Sequence, residues 1–168
     1  MTAGLFAQIA DDWRCNGRDW TRPGFRTLAV HRFGVWRMGV RSRLLRAPLS
    51  LAYRALFRHC RNVYGIELPY SAIVGRGVVI EHQGGIVVHG ASVIGDRCII
   101  RQNCTLGIRR LDEATAAPIL EEGVDLGAGA VLLGRITIGR GARIGANAVV
   151  LCDVPACAVA AGVPATIR

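Results

Sequence analysis

Branched aliphatic residues recur at intervals of six along the second half of the chain. Val74 and Ile80 open the series, Val88, Ile94, Ile100 and Leu106 continue it, and Leu120, Leu126, Leu132, Ile138, Ile144 and Val150 complete it. Glycine follows directly at Gly75, Gly95, Gly107, Gly127, Gly139 and Gly145. Helices bring side chains to one face every 3.6 residues and flat strands every two, so a period of six needs another shape. A triangular coil supplies it, with three short strands per turn, one inward aliphatic on each and a tight corner after each. Small residues suit such corners because they accept positive φ and close backbone approach. Three intervals make a coil of eighteen residues, so residues eighteen apart are predicted to stack.

The spacing breaks twice. Ile80 to Val88 is eight residues, and the extra length falls in Glu81-His82-Gln83-Gly84-Gly85. Leu106 to Leu120 is fourteen, and that stretch includes Arg109-Arg110 and Ala116-Ala117. A solenoid admits insertions only as surface loops, where function concentrates. These two stretches are the candidate sites of chemistry.

Before the repeat the pattern is helical. A short helix is predicted over 5–13, followed by a turn at Asn16-Gly17. A second is predicted over 24–46, where Phe25, Leu28, Ala29, Phe33, Trp36 and Val40 fall near a 3.6 period. Pro48 is expected to end it, and a further helix is predicted over 49–62 with Leu49, Ala52, Tyr53, Leu56 and Phe57 on its apolar face. The last two helices are expected to cap the end of the coil, which otherwise exposes core and unpaired strand edges. The chain thus divides into a basic helical region, 1–62, and a coil, 63–168. Gly162 and Pro164 mark a bend back across the far coil end.

Charge sharpens that division. Of the net +9, residues 1–61 contribute all, with twelve arginines against three acids; in 62–168 nine of each cancel. An arginine-rich region suits an anionic membrane surface, a subunit contact or nucleic acid. No zinc spacing, helix-turn-helix or aromatic platform accompanies it, so nucleic acid is not expected. The six cysteines form no C-x-x-C pair and read as small apolar fillers in a reducing compartment. No run reaches the roughly 18 apolar residues of a membrane span. The expected location is the cytoplasm, with peripheral membrane contact through the basic helices.

His82 is the leading chemical candidate. A neutral imidazole is well matched to take a proton from an alcohol near neutral pH, and Gly84-Gly85 open the backbone beside it. Such a base needs a partner to fix its tautomer, for which Glu67, about one coil earlier, and Glu81 are candidates. His89 has a weaker claim, and His31 and His59 read as structural. Arg109-Arg110 could hold an anion or lie exposed. No two His or Cys stand at metal-ligand spacing, so no metal is expected.

The run Ile80-Glu81-His82-Gln83-Gly84-Gly85, followed by Cys104-Thr105-Leu106-Gly107, Gly127-Ala128-Gly129-Ala130 and Ala161-Gly162-Val163-Pro164-Ala165, resembles the serine acetyltransferases over about residues 63–168. The N-terminal helices resemble those of the short members found in exopolysaccharide and colanic-acid gene sets. The resemblance implies a hexapeptide-repeat, left-handed parallel β-helix, a homotrimer with active sites between neighbouring coils, and acetyl-CoA as donor. It implies His82 as the catalytic base, Glu67 as the acid that orients it and Glu81 as an acceptor contact. It implies that Gly107, Ile108, Ala128, Arg143 and Ala146 hold coenzyme A. Two features depart from the family: both acids are Glu where it has Asp, and Ala116-Ala117 stand where the serine enzymes carry an Arg-His pair.

The expected function is therefore direct acetyl transfer from acetyl-CoA to a hydroxyl. A sugar hydroxyl of an exopolysaccharide precursor is the first choice of acceptor, because alanines cannot grip a serine carboxylate. Free L-serine is the alternative, and a non-catalytic binding module is the alternative of another class.

Overall fold

A computed structural model describes residues 4–168; the first three residues of the predicted helical region lie outside the described residues. From Ile66 onward the chain winds as a triangular parallel β-helix. One wall stacks Ile66–Glu67, Ile86–Val88, Thr105–Gly107, Val131–Leu133 and Val149–Val150. A second stacks Ile73–Val74, Val93–Ile94, Ile119–Leu120 and Thr137–Ile138. The third stacks Val79–Ile80, Ile99–Ile100, Asp125–Leu126, Arg143–Ile144 and Val159–Gly162. Ala165–Ile167 turns back antiparallel onto this third wall, so the tail closes the far end as its Gly and Pro suggest.

Every aliphatic of the six-residue series is buried, none more than 9 % exposed. Each such side chain contributes about 1.5–3 kcal/mol by leaving water. Stacked partners lie eighteen apart where the repeat is unbroken, as Leu132 and Val150. They lie twenty apart across the first insertion, as Ile80 and Ile100, and twenty-six across the second, as Leu106 and Leu132. Both insertions are thus absorbed at corners without changing the inward set.

The corner glycines serve closer approach. A Cβ at Gly127 would stand 2.6 Å from the Ala146 nitrogen of the next coil, and one at Gly95 would stand 2.7 Å from the Glu121 carbonyl carbon. The positive-φ residues come two positions later, at Gly129 for instance, and non-glycine residues such as Arg97 and Asn147 hold some of them.

The helical region departs from the expected boundaries. Helix α1 is Leu5–Cys15, α2 is Pro23–Met38 and α3 is Arg43–His59. The helix expected over 24–46 is interrupted at Gly39, a poor helix former, and Ser42 opens the next one. Pro48 lies within α3 rather than ending it. Its missing N–H deprives only the Leu44 carbonyl of a donor, and Leu44 is exposed enough for water to serve instead. A π-helical turn, Cys60–Tyr64, then leads to Gly65 and the coil.

The cap on the first coil is made by α1 and α2, not by the last two helices, and it is polar. Arg32 pairs with Asp12 at 2.8 Å and donates to the Val74 and Gly75 carbonyls at 2.7 and 2.6 Å. His31 Nε2 meets the Ala72 carbonyl at 3.0 Å. Asn16 donates to the Val78 carbonyl at 3.1 Å and accepts from the Ile80 N–H at 3.3 Å. These backbone groups edge the first coil, and side chains from the helices replace the missing neighbouring strand. Helix α3 packs against α2.

The cysteines divide. Cys60, Cys98 and Cys104 are buried as expected, but Cys15, Cys152 and Cys157 are exposed, because they occupy a helix end and corners rather than inward positions. Among the described residues no helix is long and apolar enough to cross a membrane.

Candidate active site

The first insertion forms the corner that carries His82. Gly84 and Gly85 both take positive φ, and the segment is pinned on two sides. Gly84 donates to the Tyr64 carbonyl at 2.9 Å, and Asn103 of the next coil donates to the Gly84 carbonyl at 2.9 Å. A Cβ at Gly85 would fall 2.2 Å from Asn103 Oδ1, so only glycine fits there without displacing that neighbour. The backbone is held while His82 itself stands exposed, pointing away from the prism core.

Helix α2 begins over this corner. Gly24, in its first turn, lies so close to Ile80 that an added Cβ would meet the carbonyl oxygen at 2.2 Å. The approach brings Arg22, Pro23 and Gly24 to Glu81, His82 and Gln83, and these six residues with Gln102 line a cavity of about 410 Å³. The Gln102 Oε1 atom is buried with no hydrogen-bond donor among the described residues. The site therefore offers an exposed imidazole beside a polar cavity, the arrangement a proton acceptor for an incoming hydroxyl requires.

The two candidate acids stand differently. Glu81 accepts from Arg101 Nε at 2.8 Å, and Arg101 also pairs with Asp125. That hydrogen bond to Asp125 is the main reason the Arg101 guanidinium is held above its usual range. Glu67 lies on the first wall, in register with Val87. Neither acid hydrogen-bonds to His82 in this structure.

Of the residues expected to hold coenzyme A, Ala128 and Ala146 share one corner on successive coils, and Arg143 opens the strand that leads into it. Arg143 and Ala146 are exposed. Gly107 and Ile108 lie at the end of a different wall, where the long loop begins. The donor set suits a ligand that lies along small residues and meets a cation, but within one copy it occupies two corners.

The long loop is tied down by its own charges. Arg109 donates to the Leu151 carbonyl at 3.0 Å, and Arg110 makes a two-pronged pair with Asp112 at 3.0 Å. That bond holds the exposed Asp112 carboxyl below its ordinary range. Ala116 and Ala117 are buried and present no polar side chain. His89 accepts from the Ala91 N–H at 3.3 Å and stays within its own corner. Among the described residues no cluster of His, Cys, Asp and Glu could hold a metal ion.

Sequence reasoning missed Arg101, Gln102 and Arg22. The first two were legible: with Ile80 stacked on Ile100, Glu81 must lie over Arg101. Arg22 carried no such signal, since it belongs to no repeat and reaches the corner through helix docking.

No family model matches the chain. It is 37 % identical over 145 residues to a serine acetyltransferase of Synechococcus elongatus, covering 86 % of this chain and 57 % of that one. It is 40 % identical over 144 residues to that of Salmonella typhimurium, covering 86 % and 50 %. The chain thus spans about half the length of the curated relatives it matches. Among solved structures, soybean serine acetyltransferase complexed with serine superposes with a TM-score of 0.82 at 33 % identity, over 98 % of this chain and 69 % of that one. A serine acetyltransferase in complex with CoA gives 0.80 at 31 %, over 98 % and 69 %. These likenesses run through both the left-handed parallel β-helix and the helices that cap it. The chain belongs to the serine acetyltransferase family of hexapeptide-repeat proteins.

Proposed function

We propose that the chain is an acetyl-CoA-dependent O-acetyltransferase with His82 as general base. The observation that carries the reading is His82 itself, exposed on a pinned corner beside a polar cavity, in a chain of this family. Acetyl-CoA supplies an activated acyl carbonyl and a thiolate leaving group. His82 takes the acceptor's hydroxyl proton as its oxygen attacks that carbonyl, then returns the proton to the departing sulfur. Glu67 orients the imidazole once substrates fill the site. Gly107, Ile108, Ala128, Arg143 and Ala146 hold coenzyme A between two copies of the chain, which would join corners that a single copy keeps apart. Residues 63–168 carry this chemistry, and helices α1 and α2 cap the coil. Exposed Leu44, Leu45 and Leu51 on the basic α3 support peripheral contact with a membrane from the cytoplasmic side.

The relatives' names, and the serine held by the soybean protein, support free L-serine as acceptor ahead of a sugar hydroxyl. Two observations favour the sugar as a second reading. Ala116 and Ala117 are buried and apolar, and Glu81 is already paired with Arg101 rather than free for an ammonium group.

Thiol release from acetyl-CoA, measured with L-serine and with a panel of sugars, separates the two. Saturable release with serine supports the first acceptor; release with a sugar alone supports the second. His82→Ala is expected to cut the rate ~10²–10⁴-fold. Full activity in that variant would overturn His82 as the base, and no acetyl-CoA binding in the parent would return the chain to the class of binding modules.

A further inference from the structure

A second cavity, of about 480 Å³, lies between α2, α3 and the corner at Pro69-Tyr70. Its charged lining residues are Arg37, Arg46 and Arg54, with no acid among them. Neither helix can supply one, because no Asp or Glu occurs between Trp20 and Ile66.

Arg37 is the unusual member. It is only 6 % exposed, and its guanidinium sits 4.3 Å from the Tyr53 ring centroid and 4.5 Å from that of Tyr70. Nη1 donates to Ser50 Oγ at 2.9 Å, but Nε has no acceptor. A buried guanidinium is normally paired with a carboxylate, and here two aromatic faces take its place. Arg46 and Arg54 form no side-chain hydrogen bond or ion pair among the described residues. Arg46, Ser50, Tyr53 and Arg54 are spaced at i, i+4, i+7 and i+8, so α3 turns one face into the cavity. The Tyr53 oxygen accepts from the Tyr70 N–H at 3.0 Å, which leaves its own O–H to donate.

We propose that this cavity binds a phosphate-bearing ligand. Three guanidinium groups without a counter-charge call for a dianion or polyanion whose oxygens can take several N–H bonds at once; a single carboxylate would leave most of the charge uncompensated. The volume admits a pyrophosphate group with part of what it is attached to. The exposed Leu44 lies on the far side of α3 from Arg46, Ser50 and Tyr53.

The probe is inorganic pyrophosphate, titrated calorimetrically into the full chain at near-physiological salt. Saturable binding is expected, weakened at least about tenfold in the Arg46→Gln/Arg54→Gln variant. Both residues are accessible enough for the variant to fold, which circular dichroism checks. Its KM for acetyl-CoA should not change. Co-sedimentation with phosphatidic acid vesicles forms the second arm; binding there that depends on Arg46 and Arg54, with pyrophosphate silent, assigns the phosphate to a lipid headgroup. The proposal is overturned if both arms are silent, if the double variant binds as the parent does, or if Arg143→Gln abolishes pyrophosphate binding instead.

Discussion

His31 carries an imidazole into the seam between α2 and the first coil. Burial is the main reason its pKa falls from 6.5 to about 4; the bond to the Ala72 carbonyl opposes the fall and the neighbouring Arg32 adds to it. Between those values the unfolded chain binds a proton that the native chain refuses, so stability rises with pH across the window. The contribution is fully present above pH 6.5 and is lost as pH falls toward 4, on the order of 3 kcal/mol at the acid end. His31→Gln, which keeps a donor for Ala72, is expected to flatten the thermal midpoint between those limits. An unchanged acid slope in the variant would show that other groups set it. The sequence suggested that His31 is structural and His82 exposed, because one sits in a helical apolar pattern and the other in a broken repeat. That Glu81 is engaged by Arg101 follows from the stacking of Ile80 on Ile100, but only once the first insertion is counted into the register.

At the scale of the element, the coil was readable and the helices only roughly so. A period enforced by close backbone stacking leaves its mark at every sixth residue, so the inward series could be listed from spacing alone. Helix ends carry weaker signals: Gly39 and Pro48 both weaken a helix, and only the first interrupts one here. Nor could the pattern tell which helices would dock, because the cap is built from isolated polar contacts such as Arg32 with Asp12. Gly24 is the element-scale weak point. Its neighbour is the Ile80 backbone, which cannot swing aside as a side chain can. Gly24→Ala should lift the first turn of α2 from the strand that delivers Glu81 and His82, at a cost of about 1–3 kcal/mol. Urea unfolding and acetyl transfer should both report it, and parent-like values in both assays would refute the close docking.

Across the whole molecule, the residues assigned to base and donor binding sit on two corners, and the His82 cavity is walled mainly by polar groups. A second copy would bring the other corner to it and exclude water from the thioester. Because the family resemblance implies a homotrimer, sedimentation is expected to give three times the 18.0 kDa chain mass. Mixed trimers of His82→Ala and Ile108→Arg, whose sites lie on different corners, should regain part of the activity that each variant lacks alone. A monomeric chain with full activity would contradict the shared site.

The antiparallel return of Ala165–Ile167 completes a set of two unlike terminations. A stack of parallel strands open at both ends is a template for its own growth, and copies would join head to tail into fibres. With guanidinium, imidazole and amide groups spent on one end and a reversed strand laid on the third wall at the other, that wall offers no parallel rung on which a copy could grow. Its length is fixed by the terminations and not by the rungs, so a gene that gained or lost one full turn between them would still encode a discrete particle.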